Sequence, residues 1–240
     1  MERVITPDWP APARVKSLMT TREGGVSAEP YASWNLGDHV QDDSLAVAAN
    51  RALLRQNLPA EPVWLNQVHG TLVVQADAVI GVPDADAAFT RQPGTVCAVL
   101  TADCLPVLFC ARDGSVVAAA HAGWRGLAAG VLEAALFAMD VAPDKVMAWM
   151  GAAIGPCAFE VGVEVRDTFI ASHPQAAAAF TPHRDKWLAD LYRLTRIRLE
   201  ACGVTTVSGG GLCTYTDAAR FYSYRRDGVT GRMATLIWIE

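Results

Sequence analysis

The chain has 240 residues, of which 52% are hydrophobic and 19% charged, and its formal net charge at pH 7 is −5. This composition supports a substantial core and excludes a disordered chain. Without a basic surplus, nucleic acid is not expected as a partner. No apolar run is long enough to span a bilayer, and the first residues lack the apolar stretch of a signal peptide. The 6 cysteines form no CxxC pair, which is typical of reduced proteins. We therefore expect a soluble, cytoplasmic protein with no membrane partner.

The N-terminal quarter contains one predicted strand and one predicted helix. Residues 1–13 are rich in proline and predict an irregular arm, and Val15–Thr20 predicts a short strand. Asp42 or Asp43 is suited to cap a helix that runs to about Asn57.

The loops around these elements carry polar candidates. Arg22 precedes a loop with paired glycines and could bind an anion, whereas Asn35 could orient a small ligand. His39 is expected to be an exposed loop histidine.

The next segment combines apolar runs with a candidate histidine. Pro62–Gln75 predicts a strand pair on either side of Gly70, with His69 at the turn. Asp77–Pro93 is rich in alanine and aspartate and lacks periodicity. It is interpreted as a surface loop or an isolated short strand.

A β-hairpin is predicted at the centre of the chain. Asp113-Gly114 between apolar runs is a strong two-residue turn signal, and that turn pairs Pro106 with His121. Because side chains alternate along strands, Cys104 and His121 then lie on the same face as diagonal neighbours. Such neighbours can converge on a common atom.

The C-terminal half alternates helices and strands. Gly126–Met139 has a helical apolar stripe, its N-terminal amides are expected to point towards the site, and Arg125 lies beside them. The remaining predicted elements are a strand at Lys145–Met150, helices at Val163–Ser172 and Trp187–Cys202, a strand at Thr205–Ser208, and a final strand pair formed by Phe221–Arg226 and Met233–Ile239. These elements predict a single α+β domain over residues 1–240, with a mixed, sandwich-like β-sheet core flanked by helices.

Three side chains suggest a metal site. His69, Cys104 and His121 supply the nitrogen and sulfur ligands that Zn²⁺ prefers. A site with three protein ligands leaves a position open, as in catalytic zinc sites. Asp103 is the nearest carboxylate for proton transfer.

Other classes of function use the same residues. Two histidines and one cysteine also suit copper, but the 5 histidines include no HxH pair, so a multicopper cluster is not expected. A metal-free cysteine hydrolase, with Cys104 as nucleophile and His121 or His69 as base, stays open. A binding module without catalysis would explain the glycine-rich loops but not the convergence of these three residues.

Several motifs, in this order, resemble those of the laccase-domain family over about Val15 to Ile239. They are Thr20-Thr21-Arg22-Glu23-Gly24-Gly25-Val26-Ser27, Asn35-Leu36-Gly37, Asn66-Gln67-Val68-His69-Gly70, Thr101-Ala102-Asp103-Cys104-Leu105-Pro106-Val107, His121-Ala122-Gly123-Trp124-Arg125-Gly126 and Ser223-Tyr224-Arg225-Arg226-Asp227. Gln41 stands where the family commonly has glycine.

The resemblance implies a zinc site made by His69, Cys104 and His121, with copper as a less expected alternative. It implies phosphorolysis of adenosine, inosine, guanosine and methylthioadenosine, together with deamination of adenosine. Arg22 and Arg125 are then candidates for binding phosphate.

The remaining expectations concern substrate binding, an alternative activity and assembly. Asn35 and Gln67 are further candidates for binding substrate. The bacterial branch is alternatively tied to a hydrolase that removes mis-incorporated L-Ser from UDP-MurNAc peptidoglycan precursors. We expect a monomer or a small homo-oligomer.

Overall fold

Two β-sheets form the centre of the protein in the computed structural model, which describes residues 3–240. The five-stranded sheet has the order β1 (Val4–Ile5), β2 (Val15–Thr20), β14 (Met233–Ile239), β6 (Val96–Thr101) and β3 (Pro62–Val63). The six-stranded sheet has the order β13 (Thr206–Gly209), β9 (Val146–Met150), β7 (Leu105–Ala111), β8 (Val117–Ala122), β5 (Ala87–Thr90) and β4 (Val73–Gln75). Parallel and antiparallel pairs occur in both sheets.

A smaller sheet and the helices surround these two sheets. The three-stranded sheet has the order β10 (Glu160–Val161), β12 (Lys186–Ala189) and β11 (Phe180–His183). The helices are α1 (Ser44–Arg55), α2 (Trp124–Ala129), α3 (Val131–Met139), α4 (Val163–Ser172), α5 (Leu191–Ala201) and α6 (Tyr224–Asp227), with 3-10 turns at Ala76–Ala78, Pro143–Lys145 and Pro174–Ala179. None of the helices in the described chain combines the length and the apolar character needed to cross a membrane.

The two main sheets pack face to face, and helices cover their outer faces. Leu108 and Val117 of the six-stranded sheet meet Val99 and Ile237 of the five-stranded sheet in a buried cluster. A second cluster lies between the six-stranded sheet and the helices α3 and α5, and a third lies between the five-stranded sheet and α1. The central strands are apolar on both faces because both faces are covered. The predicted α+β class, with a mixed and layered β core flanked by helices, is confirmed.

The central hairpin has the predicted register. Pro106 pairs with His121 across β7 and β8, and the turn closes through hydrogen bonds between Ala111 and Val116 and from the amide of Gly114 to Ala111. The predictions for the strands β2, β9, β13 and β14 and for the helix α4 are also confirmed to within one residue. The helix α1 begins after Asp43, whose side chain accepts a hydrogen bond from the amide of Leu45.

The predicted strand pair over Pro62–Gln75 is wrong. The two runs form β3 and β4, which lie in different sheets and pair in parallel with β6 and β5. The intervening segment therefore passes from one sheet to the other and carries His69 to the place where the sheets meet. Local apolar runs could not distinguish this crossing from a hairpin.

The interpretation of Asp77–Pro93 as a loop or isolated strand is also wrong. β5 is an interior strand, paired on one side with β8 and on the other with β4. Its alanines are fully buried, and small side chains provide little periodic signal in the sequence.

Several predicted bounds were wrong for local reasons. The helix Gly126–Met139 is two helices, because Gly130 has φ +105 and ends α2. Trp187 lies in β12, so the following helix begins only at Leu191, after the cap Asp190. Phe221–Arg226 is not a strand, since Ser223 caps the short helix α6. Within the proline-rich arm, Val4–Ile5 adds an edge strand to β2.

Candidate metal centre

Three side chains from different parts of the chain meet where the two sheets join. His69 lies in the segment that crosses between the sheets, Cys104 lies between β6 and β7, and His121 lies near the end of β8. Their potential ligand atoms all lie within 4.8 Å of one another, with 3.8 Å between His69 Nε2 and Cys104 Sγ. No fourth histidine, cysteine or acidic residue in residues 3–240 joins the group. The arrangement suits one metal ion with an open coordination position.

Asp86 holds two of these residues in place. Its buried carboxylate accepts hydrogen bonds from the amides of His69 at 2.9 Å and Gly70 at 2.6 Å. The same carboxylate lies 2.8 Å from Nδ1 of His121. His69 has φ +61, a conformation uncommon for residues other than glycine, and these hydrogen bonds stabilise it.

The carboxylate of Asp86 also determines which nitrogen of His121 can bind a metal. Hydrogen bonds from His121 and the amides of Gly70 and His69 outweigh burial, so the pKa of Asp86 is lowered and the group is ionised. An ionised carboxylate only accepts hydrogen bonds, so Nδ1 of His121 carries the proton. Nε2 is then left as the metal ligand, an arrangement common in zinc sites.

Charge coupling prepares Cys104 to be a ligand or a nucleophile. Burial raises the pKa of its thiol, but the imidazoles of His121 and His69 outweigh burial and lower it to about 6. Burial conversely lowers the pKa of His121, whereas Cys104 and Asp86 raise it to about 9. Without a metal, the pair is therefore a thiolate and an imidazolium near neutral pH. The thiolate is the form that binds metals.

Two glycines allow the close approach of these segments. A Cβ at Gly123 would lie 2.7 Å from Cδ2 of His69 and 3.1 Å from Sγ of Cys104. A Cβ at Gly126 would lie 2.8 Å from the carbonyl oxygen of Gly70. The glycines of the His121–Gly126 motif thus leave space for the His69 segment.

The three ligands line a cavity of about 400 Å³. Its other lining residues are His39, Asn66, Gln67, Leu100, Thr101, Ala102, Tyr224 and Arg232. A hollow of about 510 Å³ lies beside α3, but the part of the chain that the structure describes places no cluster of metal-ligating side chains there. The cluster of potential metal ligands, and not the volume of the cavity, therefore identifies the candidate site.

The structure brings only some of the other predicted residues to this cavity. Gln67 lines it, and its side-chain amide forms two hydrogen bonds with the backbone of Leu100, at 2.8 and 2.7 Å. Asp103 does not line it, and its carboxylate accepts hydrogen bonds from Thr214 and from the amide of Arg225, both at 2.6 Å. Gln67 and Asp103 thus hold the two ends of the loop that carries Cys104.

The remaining predicted residues lie elsewhere. The guanidinium of Arg22 donates to the carbonyl oxygens of Ala32 and Ala218, outside the cavity lining. Asn35 is fully buried and donates to Asp42. Arg125 is exposed and does not line the cavity.

The residues of the site that were not identified from the sequence include Asp86, His39, Tyr224 and Arg232. Asp86 and Arg232 each directly precede a buried strand, as Cys104 does. A polar residue beside a buried strand is a signal in the sequence that could have identified both Asp86 and Arg232 as site residues. His39 is exposed as expected, yet it lies at the cavity.

Comparisons with known proteins identify the relatives of this chain. Residues 16–240 match the family model described as multi-copper polyphenol oxidoreductase laccase. A Pseudomonas aeruginosa protein named purine nucleoside phosphorylase is 57% identical over 242 residues, covering 100% of both chains. The Escherichia coli K12 purine nucleoside phosphorylase YfiH is 54% identical over 245 residues, also covering 100% of both.

Solved structures of related proteins have the same fold as this chain. The crystal structure of Neisseria meningitidis protein NMB0706 has a TM-score of 0.96 at 53% identity, covering 100% of both chains. That of YlmD from Geobacillus stearothermophilus has a TM-score of 0.89 at 32% identity, covering 95% of this chain and 93% of the other. The family resemblance inferred from the motifs is confirmed.

Proposed function

Because the chain belongs to the multi-copper polyphenol oxidoreductase laccase family and has relatives named purine nucleoside phosphorylase, we propose that it is a zinc-dependent purine nucleoside enzyme. Its reactions are phosphorolysis of adenosine, inosine, guanosine and methylthioadenosine, and deamination of adenosine. The observation that carries the proposal is the convergence of His69, Cys104 and His121 in one cavity.

The residues present fit a zinc ion. Two imidazoles and one thiolate form a donor set that zinc prefers, and Asp86 orients His121 for it. When bound, zinc supplies Lewis acidity to a substrate group or to water. The small number of histidines supports zinc over a multicopper cluster, since the chain has 5 in all.

The cavity supports a substrate of nucleoside size. Its volume of about 400 Å³ lies within the range of small-molecule sites, about 300–1,000 Å³. In phosphorolysis, an oxygen of hydrogen phosphate bonds to C1′ while the bond from C1′ to N9 breaks. The electron pair leaves on N9, and the purine gains a proton in place of the one that phosphate loses. Deamination consumes water and releases ammonia.

Metal content and turnover test this proposal together. We expect near-stoichiometric zinc in the purified protein, and release of adenine or inosine from adenosine that stops on chelation and returns with zinc. His69→Ala and Cys104→Ala should lose metal and turnover together, whereas Cys157→Ala, at an exposed cysteine, should keep both. A metal-free protein that leaves all four nucleosides unchanged would contradict the proposal.

A second candidate uses the same residues without a metal. Cys104, His121 and Asp86 have the order of nucleophile, base and orienting carboxylate. In this hydrolase, the thiolate attacks an amide carbon, the amide nitrogen leaves with a proton from His121, and water cleaves the thioester. The amide would join mis-incorporated L-Ser to UDP-MurNAc. Activity on that precursor that survives chelation but not thiol alkylation would favour this candidate.

The cellular context belongs to the same proposal. We place the enzyme in the cytoplasm because all 6 of its cysteines are free. Residues 1–240 act as one domain, as a monomer or small homo-oligomer without a nucleic-acid partner. Limited proteolysis and sedimentation test these points.

A further inference from the structure

Arg232 is a cation without an acidic partner at the edge of the metal-site cavity. It is the one arginine or lysine that lines this cavity within the described chain. Its Nη1 donates to the carbonyl oxygens of Thr230 at 3.1 Å and Gly231 at 3.0 Å, but no acceptor among the described residues contacts Nε or Nη2. No carboxylate in residues 3–240 forms an ion pair with it. Three N–H donors of the guanidinium, one on Nε and two on Nη2, therefore remain for a ligand.

Contacts with the Asn35-Leu36-Gly37 segment fix the position of Arg232. The amide of Arg232 donates to Oδ1 of Asn35 at 2.9 Å, and its carbonyl accepts from the amide of Leu36 at 3.2 Å. A Cβ at Gly37 would lie 2.8 Å from Cγ of Arg232, so glycine leaves the space for this side chain. The Asn35-Leu36-Gly37 motif thus acts on the site indirectly, by holding Arg232 in a fixed conformation.

A second cavity meets the first at this residue. It has a volume of about 220 Å³ and shares His39, Tyr224 and Arg232 with the metal-site cavity. His39 is the second basic group at the junction; its Nδ1 lies 3.6 Å from Asp38, a carboxylate that it shares with Arg51 at 3.3 Å. Burial lowers the pKa of both Arg232 and His39, against the opposing effects of Cys104 and Asp103 on Arg232 and of Asp38 on His39.

The geometry points to Arg232 and His39 as an oxyanion subsite that binds inorganic phosphate beside the nucleoside. This inference rests on the proposed function, because phosphorolysis needs phosphate and nucleoside in one site. The guanidinium of Arg232 matches phosphate oxygens with its remaining N–H donors on Nε and Nη2. Arg22 and Arg125, the arginines expected from the sequence, do not line either cavity.

Direct titration of phosphate tests the subsite without any turnover. Calorimetry on the zinc-loaded protein should detect phosphate binding that Arg232→Gln weakens by roughly 10-fold or more, as expected for loss of a charge-assisted contact. Arg232→Lys should have an intermediate affinity, because it keeps the charge but not the two-donor geometry. His39→Gln should also weaken binding. Arg166→Gln, the same change on the helix α4, should have no effect.

Kinetics then separate this inference from the proposed function. In Arg232→Gln, KM for phosphate should rise by roughly 10-fold or more, and by a larger factor than KM for adenosine. An unchanged KM for phosphate in an active enzyme would overturn the subsite and leave the proposed function intact. Phosphate binding that depends on Arg232 in a protein that turns over no nucleoside would support the subsite and contradict the function.

A nucleotide could supply the same chemistry through its phosphates. UDP is therefore titrated in parallel with inorganic phosphate against the wild type and Arg232→Gln. If only UDP binds and its affinity depends on Arg232, the subsite recognises a phosphate ester and the assignment to inorganic phosphate is overturned. Should Arg232→Gln not fold, Arg232→Lys and His39→Gln in the same titrations decide the question.

Discussion

The carboxylate of Asp86 lies 2.8 Å from Nδ1 of His121, and both side chains are buried. The two residues also share a backbone hydrogen bond of 2.7 Å, from the amide of His121 to the carbonyl of Asp86. Asp86 directly precedes β5, and it also accepts a hydrogen bond from the amide of His69. This one aspartate therefore orients two of the three proposed ligands.

Asp86→Asn should weaken zinc binding by roughly 10- to 100-fold, as is typical for a residue that orients a metal-binding histidine. Asparagine has one acceptor oxygen for the four donors that Asp86 serves, so the free energy of unfolding should also fall by about 1–3 kcal/mol. Competition with a chromophoric chelator measures the affinity. Asp167→Asn, at an exposed aspartate, serves as the matched control. Equal affinities in both variants would show that Asp86 has no role in orienting the ligands.

Gly123→Ala should release the metal while the protein stays folded. The new Cβ would lie 2.7 Å from Cδ2 of His69, so the imidazole must move away from Cys104. Zinc content and circular dichroism measure the two effects. Gly94→Ala is the comparison, because Gly94 has φ +80 and should lose about 1 kcal/mol of stability while keeping full zinc content. Full zinc content in Gly123→Ala would contradict this account.

Alkylation of Cys104 in the metal-free protein should follow a pKa of about 6. The thiolate is the reactive form, so its reaction with iodoacetamide should reach half its maximal rate near pH 6 and fall at lower pH. Bound zinc should protect it. Peptide mapping separates this residue from Cys97, whose pKa is raised by burial and which should not react. A half-maximal rate near pH 9 would rule out coupling to the histidines.

Thr214→Val should lower the free energy of unfolding by about 1–3 kcal/mol and weaken zinc binding, because it leaves Asp103 with one fewer hydrogen-bond donor. Asp103 has φ +95 and directly precedes Cys104, so its hydrogen bonds help to hold the ligand. Urea unfolding and zinc titration measure the two effects. Thr168→Val, at an exposed helix position, should change neither by as much. If both variants behave alike, the Thr214–Asp103 contact does not support the site.

The sequence by itself determined the centre of the site. A two-residue turn and alternation along two strands are local properties, so Asp113-Gly114 sufficed to predict that Pro106 pairs with His121. The mixed, layered core followed from apolar runs, and the ordered motifs identified the family. These features depend on residues that are close in the chain, where geometry leaves few alternatives.

Only the tertiary structure decided what surrounds the three ligands. Asp86 and His121 are separated by 35 positions, and Asn35 and Arg232 by 197, so no periodicity links them. The small buried alanines of β5 did not predict a buried strand. The position of Asp86, directly before that strand and inside the site, was therefore not predicted either. The sequence alone does not show which of the arginines Arg22, Arg125 and Arg232 lies at the cavity. Their different roles depend on which carbonyls, rings and cavities the packed sheets bring to each guanidinium, and that packing is a property of the whole fold.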